Sequence, residues 1–193
     1  HEIVICDENV RPVEMNRDAD LVGITGYHIQ QEQVFRLADA FRKRGITVAI
    51  GGPLVQRDNL DDCLKHADAV FLGEAEYTWP AFIGDLQAKR ARPLYHQEEF
   101  VVLSDSPAPR FDLLDQAAYS SAIIETSRGC PHSCEFCEIP IRLGKGSRTK
   151  SVEQSIADTD EPGTRLRKDL SWWDLTVFVV SVVIGAGIFT ITA

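Results

Sequence analysis

The feature that most constrains this chain is an alternation of short apolar runs with helical apolar stripes across residues 1 to 90. Residues 2 to 6 (EIVIC), 20 to 25 (DLVGIT), 46 to 50 (ITVAI) and 68 to 72 (DAVFL) are apolar and end in polar or glycine residues. Strands buried on both faces have this pattern. Between the second and third runs, Val34, Leu37, Ala38 and Phe41 fall at i, i+3, i+4 and i+7, with basic residues in the last turn and Gly45 placed to end the helix. The same stripe recurs in Leu60, Cys63, Leu64 and Ala67, which puts Cys63 in the core, and again in Trp79, Phe82, Ile83 and Leu86. Such alternation predicts a doubly wound, Rossmann-like α/β parallel sheet with its ligand site outside the carboxyl ends of the strands. The loops expected there are Gly23 to His28, Gly51 to Pro53 and Gly73 to Glu76. Glycine in them permits a ligand to approach the backbone, and equally makes a tight strand-to-helix turn.

Charge narrows the partners. Twenty basic side chains stand against 29 acidic ones, a formal net charge of -9, and no long Lys/Arg cluster interrupts that balance. A broad nucleic-acid surface is therefore not expected, and a small-molecule substrate is. With 44% apolar and 25% charged residues, disorder and a collagen-like or disulfide-stapled fold are disfavoured. The charges are unevenly spread, since residues 175 to 193 carry none. As a helix, that run would span roughly 28 Å, close to the hydrocarbon thickness of a bilayer. A transmembrane helix over residues 171 to 193 is expected, with a buried core helix as the alternative. Because the chain starts at His1 and stops inside the apolar run, it reads as a fragment.

The expected domain order is an α/β domain over residues 1 to 90, a connector over 91 to 120 and a third segment over 121 to 150. That third segment opens with a strand from Ala122 to Thr126 running into a cysteine cluster. A polar linker over 151 to 170 and the apolar helix complete the chain.

Three of the five cysteines, Cys130, Cys134 and Cys137, lie within eight residues. An odd count so clustered points to metal in a reducing compartment rather than to a disulfide framework, hence a cytoplasmic setting for residues 1 to 170. Thiolates suit iron-sulfur clusters and zinc alike. A cubane cluster on three cysteines leaves one iron open to substrate or cofactor. A structural zinc site would need a fourth ligand from His132 or a distant residue, and three unligated thiols are the remaining alternative.

The run Cys130-Pro131-His132-Ser133-Cys134-Glu135-Phe136-Cys137, preceded by Glu125-Thr126-Ser127-Arg128-Gly129, resembles the signature loop of radical S-adenosylmethionine enzymes. The resemblance implies a 4Fe-4S cluster on Cys130, Cys134 and Cys137, S-adenosylmethionine on the open iron and Phe136 near its adenine. It also implies release of a 5'-deoxyadenosyl radical. Gly129 and Pro131 would shape the loop. Asp7-Glu8-Asn9-Val10-Arg11-Pro12, Gly51-Gly52-Pro53, Gly73-Glu74-Ala75-Glu76 and Pro109-Arg110-Phe111-Asp112 resemble the members of that superfamily with an N-terminal cobalamin-binding domain. This likeness covers about residues 1 to 150, and implies cobalamin against Gly23, Thr25, Gly51, Gly52, Gly73 and Glu74. The Asp-x-His-x-x-Gly motif that supplies an axial histidine in many cobalamin proteins does not occur, and His28 sits in another loop.

After Lys150 the further strand-helix units of a radical-enzyme barrel do not follow. Residues 165 to 193 instead resemble the start of amino acid permeases of the amino acid-polyamine-organocation superfamily, with Ile184-Gly185-Ala186-Gly187-Ile188-Phe189 matching the glycine motif of their first helix. In that family freed backbone groups at the helix break bind the substrate. Arg165, Arg167 and Lys168 would keep the preceding tail cytoplasmic, and Trp172 and Trp173 suit the interface. The expectation is a truncated radical enzyme joined near Arg148 to Gln154 to a permease stub, with membrane attachment if that fusion is real. The alternative functions are a transporter piece and a zinc-binding structural module.

Overall fold

The computed structural model describes residues 2–119, 123–160 and 187–192. They form two compact units, one running to Glu99 and taking in 187–192, the other beginning at Phe100.

In the first unit the strands are β1 (Glu2–Asp7), β2 (Leu21–Thr25), β3 (Thr47–Gly51), β4 (Ala69–Leu72) and β5 (Leu94–His96). Helices α1 (Gln31–Lys43), α2 (Leu60–His66) and α3 (Thr78–Gln87) connect β2 to β5 in turn. β2, β3, β4 and β5 are parallel neighbours in chain order. This is the Rossmann-like parallel sheet that the alternation predicts.

Strand side chains alternate between the faces, and the two cores follow that period of two. Val22, Ile24, Val48, Ile50 and Val70 pack with Val34, Leu37, Ala38 and Phe41 of α1 and Cys63 of α2. Leu21, Ala49, Ala69 and Phe71 pack on the opposite face with Phe82 of α3 and Tyr95 of β5. Val22, Val48, Ile50 and Val70 are completely buried, each contributing roughly 1.5–3 kcal/mol of transfer free energy. α1 ends as its sequence predicts: Gly45 at φ +80 lets its own N–H reach the Arg42 carbonyl while Ile46 N–H reaches that of Phe41.

Four expectations need correction. Gly23 is not in a loop, because the apolar run continues through it: it lies within β2, paired with Ala49, and the loop starts at Gly26. The stretch expected as a connector contains β5, which Pro93 just before it disguised and which Tyr95, 1% exposed, anchors against Phe71 and Phe82. Residues 123–126 are not a strand; the short strand β6 is Ser127–Arg128, paired antiparallel with β7 (Arg148–Thr149). Within the expected polar linker, Val152–Asp160 is a helix, α5, which follows the four-residue α4 (Ile139–Arg142).

The membrane expectation is also overturned over the residues described. Gly187–Thr192, meant to end a transmembrane helix, is a strand, β8, paired antiparallel with both β1 and β2. Its sequence GIFTIT is rich in β-branched and aromatic residues, which suit a pleated strand flanked on both sides. Among the described residues no helix is long and apolar enough to cross a membrane. Arg165, Arg167, Lys168, Trp172, Trp173 and residues 171–186 lie outside the described residues, as does Ala122.

In the second unit, residues 148–158 are not a loose seam. Arg148 and Thr149 pair with Arg128 and Ser127, and Gln154 Nε2 donates to the carbonyls of Leu103 (2.8 Å) and Ser106 (3.3 Å). Lys150 Nζ meets Asp158 Oδ2 at 2.6 Å, with side chains only 2% and 3% exposed.

Candidate functional site

Each unit presents one place where expected site residues gather. In the first it is the carboxyl end of the parallel sheet. β2 ends at Thr25, β3 at Gly51 and β4 just before Gly73, so three strand-to-helix loops share one edge. Gly52, at φ +78, carries its Cα against Thr25: a Cβ there would collide with Thr25 Oγ1 and stand 3.2 Å from its Cβ. Gly73, at φ +94, is as tight, since a Cβ would stand 2.6 Å from the Gln97 carbonyl oxygen. A Cβ on Gly51 would stand 3.3 Å from the Cβ of Phe71. Packing within the protein therefore leaves no room for a side chain at Gly52 or Gly73 and crowds one at Gly51.

The loops are further held by side-chain amides that sequence reading passed over. Gln30 Oε1 accepts from Tyr27 N–H at 2.9 Å, Asn59 Oδ1 from Gln56 N–H at 2.9 Å, and Gln97 Oε1 from Tyr77 N–H at 3.2 Å. Asn59 also donates to the Leu54 carbonyl at 2.9 Å and to Gln31 Oε1 at 3.1 Å. Leu54 N–H bonds the Gly26 carbonyl at 2.7 Å, tying the first two loops together. Gln30, Asn59 and Gln97 lie four or more residues from the glycines of these turns, so their spacing carried no signal. Toward solvent these loops offer Ile29, 91% exposed, and Tyr77, 45% exposed. His28 is exposed as well, and Glu74 is partly buried.

In the second unit, Cys130, Cys134 and Cys137 sit on a loop whose base is closed by the β6–β7 ladder. Cys130 N–H donates to the Gly144 carbonyl at 3.3 Å, and Gly146 N–H returns a bond to the Cys130 carbonyl at 3.2 Å. Gly129, at φ +87, passes beneath the carbonyls of Leu143, Gly144 and Gly146, where no side chain fits. Cys137 N–H bonds the Cys134 carbonyl at 3.1 Å, so the last two cysteines share one turn. Beyond the base the loop turns outward: Pro131, His132, Ser133, Cys134 and Glu135 are exposed and Phe136 is 91% exposed. Arg128 forms an ion pair with Glu125 at 2.9 Å just before the loop.

All five cysteines are free thiols. Cys63 is completely buried, and burial, with the Asp62 carboxylate beside it adding to the effect, pushes its thiol up to about 11. It belongs to the core, as its helical stripe predicts. The loop donors fit a thiophilic metal or an iron-sulfur cluster in kind and number. Among the described residues no three Cys, His, Asp or Glu side chains converge as a metal-holding group. The loop thus presents its thiols on a closed base without gathering them.

No protein-family model matches the chain. It is 34% identical over 163 residues to an uncharacterized methyltransferase of Synechocystis sp., covering 82% of this chain and 30% of that protein. It is 31% identical over 163 residues to the bacteriochlorophyllide d C-8(2)-methyltransferase of Chlorobaculum tepidum, covering 78% and 35%. The hopanoid C-2 methylase of Rhodopseudomonas palustris is 31% identical over 160 residues, covering 80% and 30%. The chain spans about a third of the length of these curated relatives. Its relatives are methyltransferases, and they give no support to the permease resemblance of residues 165 to 193.

Proposed function

We propose that this chain is the cofactor-domain and cluster-loop portion of a radical S-adenosylmethionine methyltransferase acting on a small-molecule acceptor. The observation that carries the reading is the Cys130–Cys134–Cys137 loop, closed at its base and open at its tip, in a chain whose relatives are methyltransferases. Cys130, Cys134 and Cys137 are the proposed ligands of a 4Fe-4S cluster, and Phe136 is the proposed contact to the nucleoside of S-adenosylmethionine. The bound cluster would supply the electron for reductive cleavage of that sulfonium, and a cobalamin at the sheet edge would supply a methyl carrier.

The chain's own residues prepare these places. Gly129 permits the crossing that brings Cys130 to the loop base, and Gly144 and Gly146 hold its peptide from the other limb. Exposure of Phe136 leaves its ring free to take a flat apolar partner. At the carboxyl ends of the strands, Thr25, Glu74, Ile29 and Tyr77 are the side chains proposed to face a corrinoid. Gly51, Gly52 and Gly73 act through loop shape, and Gly23 acts as a strand residue. Two of the relatives are named for methyl transfer to bacteriochlorophyllide and to hopanoid. A large apolar ring system is accordingly the proposed acceptor class.

Anaerobic reconstitution with iron and sulfide tests the reading. The expected result is a reducible cluster whose electron paramagnetic resonance spectrum changes on adding S-adenosylmethionine, and is lost in Cys130→Ala, Cys134→Ala and Cys137→Ala. About one zinc and no sulfide per chain would replace this reading with the structural zinc module.

A further inference from the structure

The return limb of the cysteine loop is gripped by one side chain that belongs to neither the cysteine motif nor a known ligand set. Arg148 Nη2 donates to the Leu143 carbonyl at 3.0 Å, and its Nη1 donates to the Val101 carbonyl at 2.7 Å. The guanidinium also lies over the ring of Phe100, with Cζ 4.7 Å from the ring centre. That same ring fills the space beside Gly144, where a Cβ would stand 2.7 Å from it. Gly144 is the residue whose carbonyl receives Cys130 N–H. One guanidinium therefore holds Leu143 directly and Gly144 through Phe100, immediately behind the first cysteine.

We propose that Arg148 is the positioning residue of the cysteine loop, setting the backbone of Cys130 from behind without touching the metal group. The inference rests on the cluster reading above. A planar, always charged fork can reach two carbonyls and stack on a ring at once; a lysine ammonium in its place can neither stack as a plane nor hold both carbonyls in fixed directions. Arg128, its cross-strand partner in the β6–β7 ladder, pairs with Glu125. Groups that orient metal ligands from behind alter metal affinity by about 10–100-fold when removed.

The test uses the whole chain, reconstituted anaerobically with iron and sulfide and challenged with a chelator. Arg148→Lys and Arg148→Met are expected to hold the cluster about 10–100-fold less tightly and to broaden its resonance spectrum, while the metal-free proteins keep the wild-type circular dichroism. Arg57→Ala removes an exposed arginine of the first unit, and is expected to leave retention unchanged. Should Arg148→Met fail to fold, Phe100→Leu removes the ring between the guanidinium and Gly144, with the same loss of retention expected. If wild type forms the cluster and all three loop-limb variants retain it equally with unaltered spectra, the positioning role is overturned. If wild type takes up no iron, the cluster reading falls and this inference with it.

Discussion

Gly52 packs its Cα against the side chain of Thr25, joining the loop after β3 to the end of β2. Turning the Thr25 hydroxyl aside would relieve only part of a clash with a larger residue, since its Cβ would remain 3.2 Å from the new atom. Gly52→Ala is expected to cost about 1–2 kcal/mol for the left-handed backbone and about 1–3 more for overpacking. Gly45→Ala is the matched control, with φ +80 and nothing within 4 Å of its Cβ position, so only the first cost applies. Urea unfolding of both variants checks this, and equal losses would remove the Thr25 contact from the account.

Buried pairing of Lys150 with Asp158 ties α5 to the strand end that closes the cysteine loop, since Lys150 N–H also bonds the Thr126 carbonyl at 2.9 Å. Removing either partner breaks this ion pair in a dry place. Lys150→Met or Asp158→Leu is expected to cost about 3–5 kcal/mol, and the double variant much less than the sum. Proteolytic susceptibility of the second unit reads this out. Additive losses would show that the two charges do not depend on each other.

Most of the first unit was legible because its elements bury apolar side chains with clear periods. Val34, Leu37, Ala38 and Phe41 could face only one way, and Gly45 could end their helix only where it does. What escaped had no such period. β5 is three residues long between Pro93 and the acidic Glu98 and Glu99, and its place depends on Tyr95 meeting Phe71 and Phe82 from distant segments. α5 reads as polar because its anchors are a lysine and an aspartate, which look solvated until their pairing is seen. At the cysteine loop the motif named the thiols, but not the grip on Leu143 or the ring beside Gly144. The ring comes from Phe100, 44 positions before Gly144, and the arginine that grips Leu143 also reaches back 47 positions to Val101. That Gly52 crowds Thr25 and Gly73 crowds the Gln97 carbonyl was hidden as well, because those neighbours lie 24 or more positions away in sequence.

At the loop base, Gly129 tests whether closure and ligand presentation are one property. Alanine there would collide with the Gly146 carbonyl and stand 3.0 Å from those of Gly144 and Leu143, at a backbone angle that itself costs about 1–2 kcal/mol. Gly129→Ala is expected to open the Cys130–Gly146 bond, speed amide exchange at Gly146 and abolish cluster formation, while the first unit melts as before. Wild-type exchange at Gly146 in this variant would mean that the crossing tolerates a side chain and that the glycine serves something else.

Cys63 and the loop cysteines should separate by reactivity and by pH. Burial, then the Asp62 carboxylate, raises the Cys63 thiol from an ordinary value of 9.0 to about 11, so the folded state retains its proton where the unfolded chain has lost it. Stability then falls with rising pH, because the folded form binds more protons than the unfolded form across that interval. The Cys63 contribution is fully present below pH 9.0 and is lost as pH climbs toward about 11. Cys63→Ala is expected to flatten this alkaline part of the stability curve, at the cost of a cavity that lowers stability at every pH. At pH 8, the exposed Cys134 should react with iodoacetamide well before Cys63 does, as peptide mass mapping would record. Early labelling of Cys63 in folded protein would show that α2 opens readily enough to expose it, and would sink the assignment of this thiol to a closed core.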